Sequence, residues 1–316
     1  MVNIVVVCWN AVEYTKNTLS SLEGSLKDYS NCQVTIINNG SVDGTKDYLN
    51  FFKKDTRLKC KIINNKCNIG IGAAYNLGQK ESEKIHAKYT VFCNNDLLFS
   101  KNWLEKMYQV MEDDPAIAML APIVPSSFNY YDENRTIKEV LLNIHSVKTP
   151  EEELKLFLGK FRNIDEFQSQ VCDINTRKYG CPLRYISFPN AVSSCIVMTR
   201  TSVFKNMGFF ANPLFKEYGG EDIDICWRVL DRGYRIAIIN NTYIHHFRGK
   251  SIKMANLDRV ALLKKSNQKL FNLWAGDIAN YYKKIGVTRA SEISKEPENW
   301  LINEIIKDVN IDEVLK

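Results

Sequence analysis

Apolar and polar positions alternate in blocks along the first 124 residues, and the blocks predict a repeating strand–helix order. Residues 2–8 (VNIVVVC) form an apolar, β-branched run, the pattern of a strand covered on both faces. Residues 15–27 follow at helical spacing with Leu19, Leu22 and Leu26 on one side, and Thr15 is the expected N-cap. A second strand is expected at 32–38, a helix at 45–54, a third strand at 58–65, a helix at 72–82 and a fourth strand at 88–96. A helix at 101–113, stopped by Pro115, and a strand at 116–124 continue the rhythm. This order predicts an α/β fold with a Rossmann-like, mostly parallel sheet and right-handed crossovers.

The rhythm then breaks. Residues 125–185 mix aromatics and charges, with one helical stretch at 149–161 that Thr149 can cap. This reads as an insertion over one end of the sheet. Tyr130, Tyr131, Phe157 and Phe161 make it a candidate acceptor surface, or a lid packed by its own aromatics. Strand character returns at 191–200, a helix follows at 201–207, and 217–240 holds a helix and a strand. From about 255 the chain is helical and moderately basic. The division expected is a main domain over 1–250 and a helical C-terminal extension over 251–316.

Composition narrows the class. At 316 residues, 45% hydrophobic and 25% charged, the chain is ordinary globular protein. A formal charge of +6, dispersed rather than striped, suits an anionic small ligand and argues against nucleic acid. Nine cysteines with no CxxC pair argue against a zinc site and fit a reducing compartment. No run is long and apolar enough for a membrane span or a signal segment. The expected location is cytoplasmic, with peripheral contact at the inner face of the membrane left open.

The polar clusters fall where the predicted parallel strands end, the edge at which open α/β sheets bind ligands. They are Cys8-Trp9-Asn10 after the first strand, Asn38-Asn39 in NNGSVDGT after the second, and NIGIGAAYNLG after the third, with Asn68, Gly70, Gly72 and Asn76. Asn94-Asn95-Asp96 follows the fourth. Asp43 and Thr45 read as turn and cap residues, while the amides of Asn38 and Asn39 could meet a base edge. Asp96, a carboxylate at the tip of a buried strand, needs a partner or a cation. One carboxylate beside a diphosphate suits Mg²⁺ or Mn²⁺.

Further along, Glu221 and Asp222 stand at a predicted helix N-terminus, where the helix dipole favours their charged forms. Asp224 and Arg228 are spaced to pair on one helix face. A carboxylate at such a position can be capping decoration, or the general base for a hydroxyl. His245 and His246 are adjacent after a strand, and either could reach a metal. Arg248 and Lys250 could meet phosphates.

In this order, VVVCWN, IINNGSVDGT, NIGIGAAYNLG, FCNND, SSCIVMTRTSVFKNMGFF, GGEDIDICWRVLDRGYRI and HHFRGKS resemble the inverting family 2 glycosyltransferases of the GT-A fold, over roughly residues 2–251. KKSNQKLFNLWAG looks like that family's closing helix. The resemblance implies a donor nucleotide site at Cys8, Trp9, Asn10, Asn38, Asn39, Asn68, Gly70, Gly72, Asn76, Asn94, Asn95 and Asp96. It implies a metal held by Asp96 and by His245 or His246, and catalysis by the pair Glu221 and Asp222, with Asp222 as base. Three positions depart from the pattern. Asn38 and Asn39 stand where a carboxylate usually reads the base, Asn94 and Asn95 leave one acid in the DxD region, and Phe210 replaces an Asp in what is usually an acceptor-side loop.

The implied reaction moves a sugar from a nucleotide-diphosphate sugar to a carbohydrate, lipid-linked or protein acceptor, as in polysaccharide biosynthesis. A catalytically silent nucleotide-sugar-binding subunit is the alternative. Retention of the acid pair and of Asp96 disfavours it. A nucleotidyltransferase would carry a Gly-rich basic loop after the first strand, and a dinucleotide oxidoreductase would carry GxGxxG there; this chain has neither.

Overall fold

The computed structural model describes residues 1–26, 31–125, 149–158, 163–216, 219–247, 258–289, 292–293, 300–307, 311 and 315. Tyr130, Tyr131, Phe161, Arg248 and Lys250 lie outside these residues, as does the side chain of Phe157.

The elements run β1 (Val2–Cys8), α1 (Val12–Ser25), β2 (Cys32–Asn38), α2 (Thr45–Asp55), β3 (Cys60–Asn64), α3 (Ile71–Lys84), β4 (Tyr89–Asn94), β5 (Leu97–Leu98), α4 (Trp103–Asp113) and β6 (Ile117–Ile123). Then come α5 (Pro150–Leu158), α6 (Ile164–Tyr179), β7 (Leu183–Ile186), β8 (Ile196–Arg200), α7 (Thr201–Met207), α8 (Glu221–Asp231), β9 (Arg235–Tyr243), β10 (His245–His246), α9 (Arg259–Lys284) and α10 (Trp300–Ile306).

Eight strands form one sheet in the order β3-β2-β1-β4-β8-β6-β9-β7. β1 to β4 pair in parallel, so their C-terminal ends share one edge. β8 enters antiparallel between β4 and β6, and β7 closes the far edge antiparallel to β9. Apolar side chains alternate to both faces, and each face carries its own helical layer. Leu270, Phe271, Trp274 and Ile278 of α9 belong to the same core as β4, β6 and α8, so the C-terminal helices share the hydrophobic core of the sheet.

One expectation is corrected here, and one is refined. Thr15 does not cap α1: it lies inside the helix, buried, with Oγ1 donating to the Ala11 carbonyl (3.2 Å) and accepting from Asn95 Nδ2 (2.7 Å). The chain enters that helix through Asn10 and Ala11, both with positive φ. Phe210 stands in the loop between α7 and α8, with its ring turned into the core. It is fully buried and stacks on Phe92 with ring centroids 3.8 Å apart. An apolar ring following another aromatic is drawn into the core, where an acid would not be. Thr149 does cap its helix, accepting from Glu152 N (3.2 Å) while Glu152 Oε2 accepts from Thr149 N.

Candidate active site

The parallel strands end in four loops that hold one another. Asp43 fixes the turn after β2: Oδ1 accepts from Thr45 N (3.0 Å) and from the Thr45 hydroxyl (2.5 Å), and Oδ2 accepts from Val12 N at the start of α1 (3.0 Å). Asn10 Oδ1 accepts from Val42 N, and Asn10 N donates to Ser41 Oγ, both at 2.9 Å. Trp9, between these anchors, is half-buried.

Asn38 and Asn39 are buried, and their amides are spent inside this loop cluster. Asn38 Nδ2 donates to Asn64 Oδ1 (2.9 Å) and its Oδ1 accepts from Ser41 N (3.1 Å). Asn39 Nδ2 donates to Asn68 Oδ1 (2.9 Å), while its Oδ1 accepts from Asn65 Nδ2 (3.0 Å) and Ile69 N (3.2 Å). A base edge would meet them only after these bonds broke, so as placed they shape the pocket wall. The physical reason is that a neutral amide both donates and accepts, so neighbouring asparagines satisfy one another in a way carboxylates cannot.

Three other expected contact residues face inward. The Cys8 thiol is fully buried, and burial pushes its pKa far above the usual range. Asn76 is occupied by the backbone opposite: Oδ1 accepts from Phe210 N and Ala211 N (2.9 Å each), and Nδ2 donates to Ala211 O (2.8 Å). Asn95 Nδ2 donates to Asn10 O (3.0 Å) and Thr15 Oγ1. These residues brace the loops. Asn68, Asn94 and the backbone at Gly70 remain accessible at the loop edge. Gly70 has φ +86°, and a Cβ there would sit 2.4 Å from Lys216 O, so only glycine fits this approach.

Beyond β4 the chain turns at Asp96 and pairs β5 with β10, His246 opposite Leu97. Successive strand residues point to opposite faces. His246 therefore turns to Asp96, with Nε2 3.1 Å from Oδ1, while His245 turns away, its Nδ1 3.0 Å from the Tyr243 hydroxyl and its ring edge-on to Phe247. The expectation that His245 could reach the metal is corrected. Burial alone would lower the His246 pKa, but the Asp96 carboxylate beside it, with Cys195 adding to the effect, outweighs burial and raises it to about 10. Once a cation displaces the proton that His246 holds beside Asp96, a buried carboxylate and imidazole this close offer it one hard and one borderline donor. Among the described residues no third His, Cys, Asp or Glu completes a metal cluster.

The second acidic centre opens α8. Glu221 is buried, and its Oε2 has no hydrogen-bond partner among the described residues. Asp222 is half-buried, with Oδ1 on Ile223 N (3.0 Å). Burial raises both carboxyls, and the Asp222 charge raises Glu221 further.

Three residues not foreseen connect these groups. Tyr75, fully buried on α3, contacts Asn94 Oδ1 (2.8 Å) and Ser194 O (3.0 Å). Burial raises its phenol, and the neighbouring Cys93, Cys195, Glu221 and Asp96 add to that rise. Tyr14 packs its ring on Phe247 (5.2 Å), and its hydroxyl meets Glu153 Oε2 (3.3 Å) from α5. Tyr75 could have been read from a hydroxyl on the inward side of an apolar helix face. Nothing in the EEE run at 151–153 marks Glu153 out from its neighbours.

The sequence matches known protein families along most of the chain. The model of "Glycosyl transferase family 2" matches residues 3–172, more than half of the sequence. The chain is a member of glycosyl transferase family 2. A second model, "N-terminal domain of galactosyltransferase", matches residues 172–250, which include α8 and the His246 strand.

Among curated relatives, an uncharacterized glycosyltransferase of Rickettsia bellii is 32% identical over 114 residues, 36% of this chain and 15% of that protein. One of Haemophilus influenzae is 30% identical over 121 residues, 38% of this chain and 35% of that protein. The chain thus matches well under half the length of these relatives. Solved structures share the GT-A fold. GalNAc-T7 with UDP, GalNAc and Mn²⁺ superposes with TM-score 0.58 at 12% identity, covering 89% of this chain and 49% of that one. The mannosyltransferase PcManGT of Pyrobaculum calidifontis with GDP-Man and Mn²⁺ gives 0.52 at 12% identity, covering 96% and 68%. S. aureus TarS with UDP-GlcNAc gives 0.52 at 14% identity, covering 96% and 79%.

Proposed function

We propose that this glycosyltransferase moves a sugar from a nucleotide-diphosphate sugar to a hydroxyl acceptor with inversion at the anomeric carbon. The observation that carries the reading is the pair of buried acidic centres, Asp96 with His246 Nε2 3.1 Å from its Oδ1 just past β4, and Glu221 beside Asp222 at the start of α8 with Glu221 Oε2 unpartnered among the described residues. Two such centres at the open edge of one sheet suit a reaction that needs a base on one side and charge neutralisation on the other.

The nucleotide lies against the loops after β1, β2 and β3, walled by the Asn38–Asn64 and Asn39–Asn68 clasps, with its diphosphate directed toward Asp96. Asp222 accepts the acceptor's hydroxyl proton. The acceptor oxygen bonds to the anomeric carbon as the bond from that carbon to the diphosphate breaks, and the diphosphate leaves with the electron pair. Glu221, kept protonated by its burial, holds the adjacent negative charge to one and so leaves Asp222 as the basic partner. Asp96 and His246 would hold a divalent cation, Mn²⁺ in preference to Mg²⁺ because one ligand is an imidazole. When bound, the cation supplies positive charge to the leaving diphosphate.

The solved structures with UDP, GDP-Man and UDP-GlcNAc support a nucleotide-sugar donor for this chain as well. No described helix is long and apolar enough to cross a membrane.

A second reading, a silent nucleotide-sugar-binding subunit, draws on the single carboxylate at Asn94-Asn95-Asp96. One experiment separates the two. UDP-, dTDP- and GDP-sugars are tested for binding and slow hydrolysis with and without Mn²⁺, in the wild type and in Asp222→Asn. Metal-dependent hydrolysis that Asp222→Asn abolishes, with nucleotide affinity kept, supports transfer. Binding without turnover in the wild type favours the silent subunit, and wild-type turnover from Asp222→Asn removes Asp222 as base.

A further inference from the structure

The first turn of α8 is gripped by α9 and by the Phe209-Phe210 segment. Asp224, two residues beyond Asp222, is fully buried and accepts from Arg228 Nε (2.7 Å) and from the indole Nε1 of Trp274 in α9 (3.2 Å). Arg228 Nη2 donates to Phe210 O (2.5 Å), and its guanidinium lies over the Phe209 ring (4.8 Å). The rings of Trp227 and Trp274 meet edge to face at 5.6 Å.

The turn entering α8 is pressed on the same helix. A Cβ on Gly219 would come within 2.9 Å of Leu263 Cδ2 in α9, while one on Gly220 would meet the Phe215 ring first (2.8 Å) and Ser266 Cβ of α9 at 3.4 Å. Both glycines have positive φ, so the turn is held in a shape that packing against α9 helps to impose.

Within α9 the backbone leaves helical geometry at one residue, Trp274 itself (φ −117°, ψ 17°). There is no proline there. Gly276, two residues on, lowers the cost of a bend, but the deviation falls at the residue whose indole reaches Asp224. Such a departure persists only where the surroundings over-determine it. A straight helix would serve packing alone; a bent one also aims the N–H.

We infer that Trp274 is a positioning residue for the transfer reaction: by bending α9 to hold Asp224, it fixes the first turn of α8 and so the aim of the Asp222 carboxylate. This rests on the assignment of Asp222 as base. The C-terminal helix then acts through the active site although it touches no substrate, and Asp224, Arg228 and Phe210 form the link between them.

The test is Trp274→Phe, which keeps an aromatic ring and deletes the N–H. Leu263→Ala, which loosens the seat of Gly219 without orphaning a polar group, is the second variant. Amide hydrogen exchange is read first, because it needs no activity. In both variants residues 219–224 should exchange at least roughly tenfold faster while β1 is unchanged. In donor hydrolysis, kcat should fall by roughly tenfold with KM for the donor nearly unchanged, as misplacement of a reacting group predicts. The ascending limb of the pH–rate profile should move to lower pH as water reaches Asp222. A lower unfolding midpoint alone, with exchange at 219–224, kcat and the pH limb all as in wild type, would reduce Trp274 to a packing residue and overturn the inference. A wild type that hydrolyses no donor defeats the transferase reading instead, and hydrogen exchange still judges the clamp.

Discussion

His246 Nε2 lies 3.1 Å from Asp96 Oδ1, and the backbone ties the same two strands together where Phe247 N donates to Asp96 O at 2.9 Å. The main chain thus sets the spacing of the two side chains before any ligand arrives. Asp96→Asn removes the charge that keeps His246 protonated. In the variant the His246 pKa should drop below its value of about 10, by NMR titration, because burial is then opposed by Cys195 alone. Mn²⁺ affinity in the presence of UDP should weaken by at least roughly tenfold. An unchanged titration would mean that the pair is not coupled.

The same pair makes stability depend on pH. His246 holds its proton more tightly in the folded than in the unfolded chain, against an ordinary value of 6.5. Its stabilising contribution is complete below about pH 6.5 and is lost as pH rises through about 10. The unfolding midpoint of metal-free protein should fall across that window. His246→Gln should flatten the slope, and a slope equal to that of wild type would locate the titrating group elsewhere.

Glu221 gives a second, lower window. Its folded pKa is raised, so its contribution is present below the ordinary carboxylate range and fades as pH rises through the raised value. Glu221→Gln removes the ionisation but keeps the shape. The variant should therefore gain on the wild type as pH rises from about 5 toward neutrality and above, read as the difference in urea midpoints. A constant difference across pH would show that Glu221 is not the group that ionises.

The parallel half of the sheet was legible because strands covered on both faces leave continuous apolar runs, as 2–8 and 32–38 do. α2 and α7 begin where expected because Thr45 and Thr201 each follow a clear break in the apolar pattern. α6 and β7 were missed. α6 carries a genuine cap, Asn163 Oδ1 accepting from Glu166 N at 2.9 Å, but its apolar positions are thin among polar residues. The antiparallel entry of β8 between β4 and β6 is a tertiary choice that no local pattern encodes. At the site, residue types were readable and orientations were not. His245 and His246 look alike in sequence, and only the strand pairing decides which one faces Asp96. Asn39 and Asn76 are amides that could bind a ligand, and the fold spends them on its own backbone.

Asn76 offers a direct check on that last point. Asn76→Ala would leave the N–H groups of Phe210 and Ala211 and the Ala211 carbonyl without their present partner. At about 1–3 kcal/mol for a buried group left unsatisfied, a loss of at least about 2 kcal/mol is expected in chemical denaturation. Donor affinity should change little once the protein is folded. A stable variant with donor affinity lost would return Asn76 to the ligand-contact role.

The buried pair Asp224–Arg228 separates orientation from stability. Asp224→Ala strands a cation that is 9% exposed and should cost about 3–5 kcal/mol. Replacing both partners with apolar residues of similar size, Asp224→Leu with Arg228→Met, removes the stranded charge. Stability should then recover in part, since apolar substitutes often match a buried ion pair, with about 1–3 kcal/mol still lost for each buried group left without its partner. The Phe210 carbonyl and the Trp274 indole would still lose their charged partners. Turnover should therefore stay low in the double variant even where the fold is restored. Restored folding with restored turnover would mean that the ion pair serves stability alone, and that the aim of Asp222 is set by the Gly219-Gly220 turn without it.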